Sequence, residues 1–208
     1  MELDLIDKCI CVCSKRNVGK SVLVKYLVST IKDQMKKIYV VSGTEKINKF
    51  YSDLTNEENI FDDFDEDWTN NLIKKMAILN ANKPKLEMDR VLLIFDDIMC
   101  NFRFHSSKAL AKIVNTGRHL GLTCFFIFHQ INQISPNCRG NCDIILCSKM
   151  SAAAIECLEH EFNSLLSKKE FLDMYHRVCQ DYNFLVINQN GTKTNDPNEI
   201  YGVIRAPS

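Results

Sequence analysis

The sequence predicts an α/β fold: a mostly parallel central sheet flanked by helices on both faces, with a C-terminal β-hairpin. Three observations carry this. Short apolar runs alternate with stretches of helical periodicity. A helix joins the first two runs, and such a crossover makes the strands on either side parallel. The last two runs are joined by a turn-rich segment containing Asn190-Gly191, as in a hairpin. At 208 residues, 46% hydrophobic and 25% charged, the chain fits a single domain over 1–208, with its core at about 9–148 and C-terminal helices and hairpin at about 151–208.

In chain order, Ile10 to Cys13 reads as a buried strand and Gly19 to Met35 as a helix with apolar positions Leu23, Leu27, Ile31 and Val24, Val28, Met35. Lys37 to Val41 is the second strand, closed by Ser42-Gly43. From Phe50 to Asn71 there is no Lys or Arg, while Glu57, Glu58, Asp62, Asp63, Asp65, Glu66 and Asp67 crowd around Phe61, Phe64 and Trp68. The expectation is a solvated acidic loop leading into a helix near Asn71 to Asn80; a docking site for a basic partner is the sharper alternative. Arg90 to Ile98 is a buried strand with two acids near its end, and Ser106 to His119 is a helix capped by Ser106 or Ser107. Strand Thr123 to Phe128, a polar loop, strand Asp143 to Cys147, helical turns from Ala152 to Arg177, and the hairpin of Asn183 to Ile187 with Ile200 to Ile204 complete the chain.

No apolar run approaches the roughly 20 residues of a membrane-spanning helix, and Met1 to Lys8 is too acidic for a signal peptide. These features predict a soluble protein. The sequence has ten cysteines. Cys9, Cys11 and Cys13 alternate along one strand and Cys124 and Cys147 lie in others, as small buried hydrophobes in an intracellular reducing compartment do. Cys138, Cys142 and Cys147 match no paired CxxC spacing and are read as thiols rather than zinc ligands. Net charge is zero, so contact with DNA would need local patches or a ring of subunits.

Ser14-Lys15-Arg16-Asn17-Val18-Gly19-Lys20-Ser21 lies between the first strand and the first helix, the setting that the GxxxxGK(S/T) phosphate-binding pattern requires. Backbone N–H groups and the helix N-terminus favour the anionic triphosphate of ATP there. Lys20 reaches the β and γ phosphates and the Ser21 hydroxyl joins a Mg²⁺ shell. The first position is Ser14 where the pattern has glycine. Asp96 and Asp97 close an apolar strand as Walker B acids do: Asp96 is expected to hold Mg²⁺ and Asp97 to orient or deprotonate the attacking water. Gln130 ends the next strand, where a neutral amide can contact both the γ-phosphate and the water, and adjacent His129 competes for that role. Arg118 and Arg139 flank that strand as candidate arginine fingers for a neighbouring subunit's nucleotide.

The run NTGRHLGLTCFFIFHQINQISPNCRGNCDIIL, following these two motifs, resembles the genome-packaging ATPases of large DNA viruses, the poxvirus-type branch of the FtsK/HerA superfamily of P-loop motors. The resemblance rests on Arg118-His119 before a strand, Gln130 at its end, Pro136 in the loop and Arg139-Gly140-Asn141 before the next strand. It covers Ile10 to Cys147, and the C-terminal part fits only by element order. It implies a P-loop NTPase fold, a ring-shaped homo-oligomer hydrolysing ATP at subunit interfaces, and translocation of double-stranded DNA into a capsid. A capsid or portal protein would be a further partner, in the host cytoplasm or the virion. A small P-loop nucleoside or nucleotide kinase is the alternative, but Arg103, Arg118, Arg139, Arg177 and Arg205 form no clustered lid. An AAA-like helicase-loader module and a nucleotide binder without turnover are further readings.

Overall fold

The computed structural model describes residues 3–98, 107–191 and 195–207. Among these, eight strands form one sheet in the order β3-β2-β4-β5-β1-β6-β7-β8. The strands are β1 (Cys9–Cys13), β2 (Lys37–Ser42), β3 (Ile60–Phe61), β4 (Val91–Asp96), β5 (Leu122–Phe128), β6 (Ile144–Cys147), β7 (Asn183–Asn188) and β8 (Tyr201–Arg205). Pairing from β3 through β6 is parallel, and β7 runs antiparallel to both β6 and β8. The expected parallel core and C-terminal hairpin are both present. The inserted β5 pairs with β1 on one side (Cys13↔Phe128) and with β4 on the other (Asp96↔Ile127). That register brings the C-terminal ends of β4, β5 and β1 side by side.

Alternate residues of each central strand feed two cores. On one face Ile10, Val12, Leu92, Ile94, Phe125 and Ile127 pack against Leu23, Val24, Leu27, Val28 and Ile31 of α1 (Lys20–Ile31). On the other, Cys11, Leu93, Phe95, Phe126 and Phe128 meet α3 (Glu66–Asn80), α4 (Lys108–Thr116), α6 (Ala152–Phe162) and α7 (Lys168–Val178). Phe95 and Phe126 stack on neighbouring strands with ring centroids 5.1 Å apart. The short helices α2 (Glu45–Asn48), α5 (Pro136–Gly140) and α8 (Pro197–Ile200) sit in connections.

Several boundaries differ from expectation for identifiable reasons. Helix α1 stops at Ile31 and tightens to a 3₁₀ turn over Lys32–Gln34 instead of running to Met35. Ser29 and Thr30 hydroxyls donate to the carbonyls of Tyr26 and Leu27, which competes with the helical ladder near that end. Helix α3 starts at Glu66, not near Asn71. Asp65 caps it by accepting from the Trp68 N–H at 2.9 Å, and Glu66 and Asp67 occupy the first turn, where the helix dipole favours acids. The interleaved aromatics are structural: Phe61 and Trp68 pack ring to ring at 4.7 Å, with Tyr39 5.0 Å from Trp68. The helix expected over Ser106 to His119 is α4 with a 3₁₀ turn over Gly117–His119; Ser107 is its cap, while Ser106 and Arg103 lie outside the described residues. The helical turns of Ala152 to Arg177 are two helices, α6 and α7, the second opened by a reciprocal Ser167 and Glu170 capping box. The turn-rich segment of the hairpin contains a 3₁₀ turn over Gln189–Gly191 and α8, and residues 192–194 lie outside the described residues.

Candidate nucleotide site

The loop from Ser14 to Gly19 is pinned at its start by the sheet. Ser14 N–H donates to the Phe128 carbonyl at 3.2 Å and Lys15 N–H to the Lys149 carbonyl at 2.7 Å. Ser14 is fully buried and is absent from the residues with positive φ, so a side chain costs its backbone nothing where the pattern has glycine. Asn17 (φ 59°) and Gly19 (φ 89°) make the left-handed turn that aims the loop at the first turn of α1. Gly19 is needed for space as well. A Cβ there would lie 3.1 Å from the Ala206 Cβ and 3.3 Å from the Tyr182 ring. Lys15, Arg16 and Asn17 are exposed at the loop tip and Val18 is half-buried.

Lys20 is buried and folded back on the loop. Its ammonium donates to the Ser14 carbonyl at 2.6 Å and the Lys15 carbonyl at 2.9 Å, and lies 3.2 Å from His129 Nδ1. Burial lowers its pKa, while Asp96 and Asp97 pull it up. Ser21 Oγ donates to Asp96 Oδ2 at 3.3 Å, and the same oxygen accepts from the Tyr51 hydroxyl at 2.6 Å. Burial raises the Asp96 pKa, and the Tyr51 hydrogen bond opposes that by favouring the carboxylate. A hydroxyl and a carboxylate converging at the first turn of a phosphate-binding helix form the oxygen donor set that Mg²⁺ prefers. Ser21 and Asp96 are therefore the residues that would hold it. Asp97 follows in a left-handed conformation (φ 53°), with Oδ1 3.4 Å from His129 Nε2.

The structure brings Lys20, Ser21, Asp96, Asp97 and His129 together and leaves the other candidates aside. Gln130 Oε1 accepts from both the N–H (3.1 Å) and the hydroxyl (2.9 Å) of Ser151, the cap of α6, so it is engaged with that helix. Arg118 stands in the turn before β5, at the opposite end of the sheet from the loop, exposed and 3.5 Å from Asp143 Oδ1. Arg139 is buried, paired with Glu161 through two nitrogens and donating to the Ile134 carbonyl at 2.6 Å.

Comparison with known proteins fits this arrangement. The family model for the poxvirus A32 protein matches residues 7–193. The chain belongs to the poxvirus A32 protein family. Among its relatives, the uncharacterized protein 075L of Invertebrate iridescent virus 6 is 28% identical over 183 residues, covering 87% of this chain and 70% of that one. The uncharacterized protein 015R of Frog virus 3 (isolate Goorha) is 24% identical over 201 residues, covering 94% of this chain and 60% of that one. Among solved structures, the genome packaging NTPase B204 from Sulfolobus turreted icosahedral virus 2, in complex with AMPPCP, superimposes with a TM-score of 0.67 at 16% identity, covering 97% and 98% of the two chains. The pCW3 conjugation coupling protein TcpA, in its monomer form with ATPγS, gives a TM-score of 0.66 at 13% identity, covering 99% of this chain and 62% of that one. These two likenesses establish the fold.

In this A32-family chain, sequence reasoning missed Tyr51. It lies in the acidic stretch, far in sequence from both motifs, yet it is almost fully buried with its hydroxyl on the Asp96 carboxylate. Its main-chain N–H is held by Glu45 Oε1 at 2.6 Å. No local pattern signals such a contact, because it depends on the β2–β4 pairing that sets Ser42 beside Asp96.

Proposed function

We propose that this A32-family protein is an ATP-hydrolysing motor that drives double-stranded viral DNA into a capsid as a ring of identical subunits. The observation that supports it is the convergence of Lys20, Ser21, Asp96 and Asp97 at the adjacent ends of β1 and β4, on either side of β5. The loop N–H groups and the start of α1 take the β and γ phosphates of ATP. Lys20 exchanges its carbonyl partners for phosphate oxygens, since an ammonium is held better by an anion than by neutral dipoles. Ser21 and Asp96 would hold Mg²⁺, which would supply positive charge against the transferring phosphoryl group. Asp97 accepts the proton of a water whose oxygen bonds the γ-phosphorus, while the bond to the bridging oxygen breaks and leaves with ADP.

The test is ATP hydrolysis measured with and without double-stranded DNA, with product identification. ADP plus free phosphate, and stimulation by DNA, is the expected result. A phosphorylated acceptor would establish a kinase instead, and bound but unturned ATP an inert binder. Lys20→Ala should abolish nucleotide binding or turnover; near-normal hydrolysis by that variant would remove the P-loop assignment.

A further inference from the structure

Gln130, expected to contact the γ-phosphate and the water, has its amide oxygen taken by Ser151. Its neighbour His129 stands instead between the two charged groups that matter for hydrolysis. Lys20 Nζ carries three protons and has three acceptors: the Ser14 carbonyl, the Lys15 carbonyl and His129 Nδ1 at 3.2 Å. A ring nitrogen facing an ammonium is the acceptor, which puts the ring proton on Nε2. That Nε2 is sealed from solvent and makes no hydrogen bond among the described residues. Asp97 Oδ1 lies 3.4 Å from it without the alignment a hydrogen bond needs. A buried donor without an acceptor is costly, so an acceptor brought slightly closer is held firmly.

Resting on the ATPase reading above, we infer that His129 is a positioning residue that couples phosphate contact at Lys20 to the orientation of Asp97. Without triphosphate, Lys20 holds the imidazole through Nδ1. A γ-phosphate draws the ammonium away from the Ser14 and Lys15 carbonyls and from Nδ1. The released ring then turns its Nε2–H onto Asp97 Oδ1 and fixes the carboxylate that takes the proton from water. Asp97, in a left-handed conformation just past the end of β4, is thereby set only when its substrate is in place. A futile, unaligned base is the resting state.

Two measurements test this. In protein carrying ¹⁵N-labelled histidine, the His129 signals, assigned by their loss in His129→Asn, should show the Nε2–H tautomer without nucleotide. Both ring nitrogens should shift on adding a non-hydrolysable ATP analogue with Mg²⁺. In kinetics, His129→Ala should hydrolyse ATP about 10- to 100-fold more slowly while its nucleotide Kd stays within about threefold. His129→Gln, whose amide offers both a donor and an acceptor, should recover part of the rate. Unmoved ring signals on analogue binding, or His129→Ala turning over at the wild-type rate, or affinity falling in step with rate, would each overturn the inference. If wild-type protein binds the analogue but never hydrolyses ATP, the ATPase reading fails, and the tautomer measurement still reports on His129 alone.

Discussion

Asp96 shows how function and stability oppose each other at one residue. Burial raises its pKa in the folded chain, so the folded state binds the proton more tightly than the unfolded state does. Its contribution to stability is therefore fully present below the unfolded value and is lost as pH rises through the raised one. On the proposed reading, the ionised form of Asp96 is a stability cost kept for Mg²⁺. Asp96→Asn, which can still accept from Tyr51 and Ser21, should melt higher than wild type without nucleotide, by about 2–4 °C for a gain near 1 kcal/mol, while losing Mg²⁺-dependent turnover. Calorimetry at pH 7 and pH 5 checks it: the gap between the two proteins should narrow at the lower pH. Tyr51→Phe keeps the buried ring and removes only the 2.6 Å hydrogen bond to Asp96. It should raise the Mg²⁺ concentration for half-maximal hydrolysis about tenfold. A Mg²⁺ titration of both hydrolysis and nucleotide affinity reads this, and an unchanged midpoint in both would leave Tyr51 a packing residue only.

At the scale of elements, the Arg139 and Glu161 pair clips α5 to α6. Arg139 is buried, its guanidinium bonded to both Glu161 oxygens and to the Ile134 carbonyl, while the Glu161 side chain is 28% exposed. The guanidinium holds the Glu161 carboxyl below its usual pKa of 4.5. A folded-state pKa below the unfolded one gives stability that is present above about 4.5 and lost as pH falls through the lower value. Glu161→Gln leaves a buried cation without its counter-charge and should destabilise the fold by about 2 kcal/mol, less than for a fully buried pair because water still reaches Glu161. Urea unfolding at pH 7 measures the difference, which should shrink toward pH 3. Arg139 is thereby spent on holding two elements together, and Arg118 is the candidate we propose for a neighbouring subunit's site.

Over the whole molecule, Arg118 and the phosphate loop stand at opposite ends of β5, about 20 Å apart for a seven-residue strand, so Arg118 does not serve its own site. In a ring it would serve a neighbour's. Arg118→Ala should then bind ATP normally and hydrolyse it on the order of 10³-fold more slowly. Co-assembled with Asp97→Asn subunits, it should regain part of the activity, because interfaces pairing an intact Arg118 with an intact Asp97 form again. No recovery in proven mixed assemblies would remove Arg118 from that role. With zero net charge, a lone subunit offers DNA little attraction. Binding should therefore appear under conditions that assemble the proposed ring, fall steeply with salt and show little sequence preference, as titration of several duplexes at two salt concentrations would show.

The sequence by itself determined the phosphate loop, the Walker B strand and the alternation of strands and helices, because each is encoded locally: apolar periodicity, a glycine where the backbone turns left-handed, acids closing a buried run. It also placed the aromatics of the acidic stretch without explaining them, since Phe61 and Trp68 acquire partners only when β3 pairs with β2. The tertiary structure alone decided that Tyr51 holds Asp96, that Ser151 occupies Gln130, that Glu161 occupies Arg139, and that His129 lies between Lys20 and Asp97. Those contacts join residues distant in sequence whose distances are set by strand order. The insertion of β5 between β1 and β4, which places His129 between the loop and the acids, is a property of the assembled sheet that no local pattern carries.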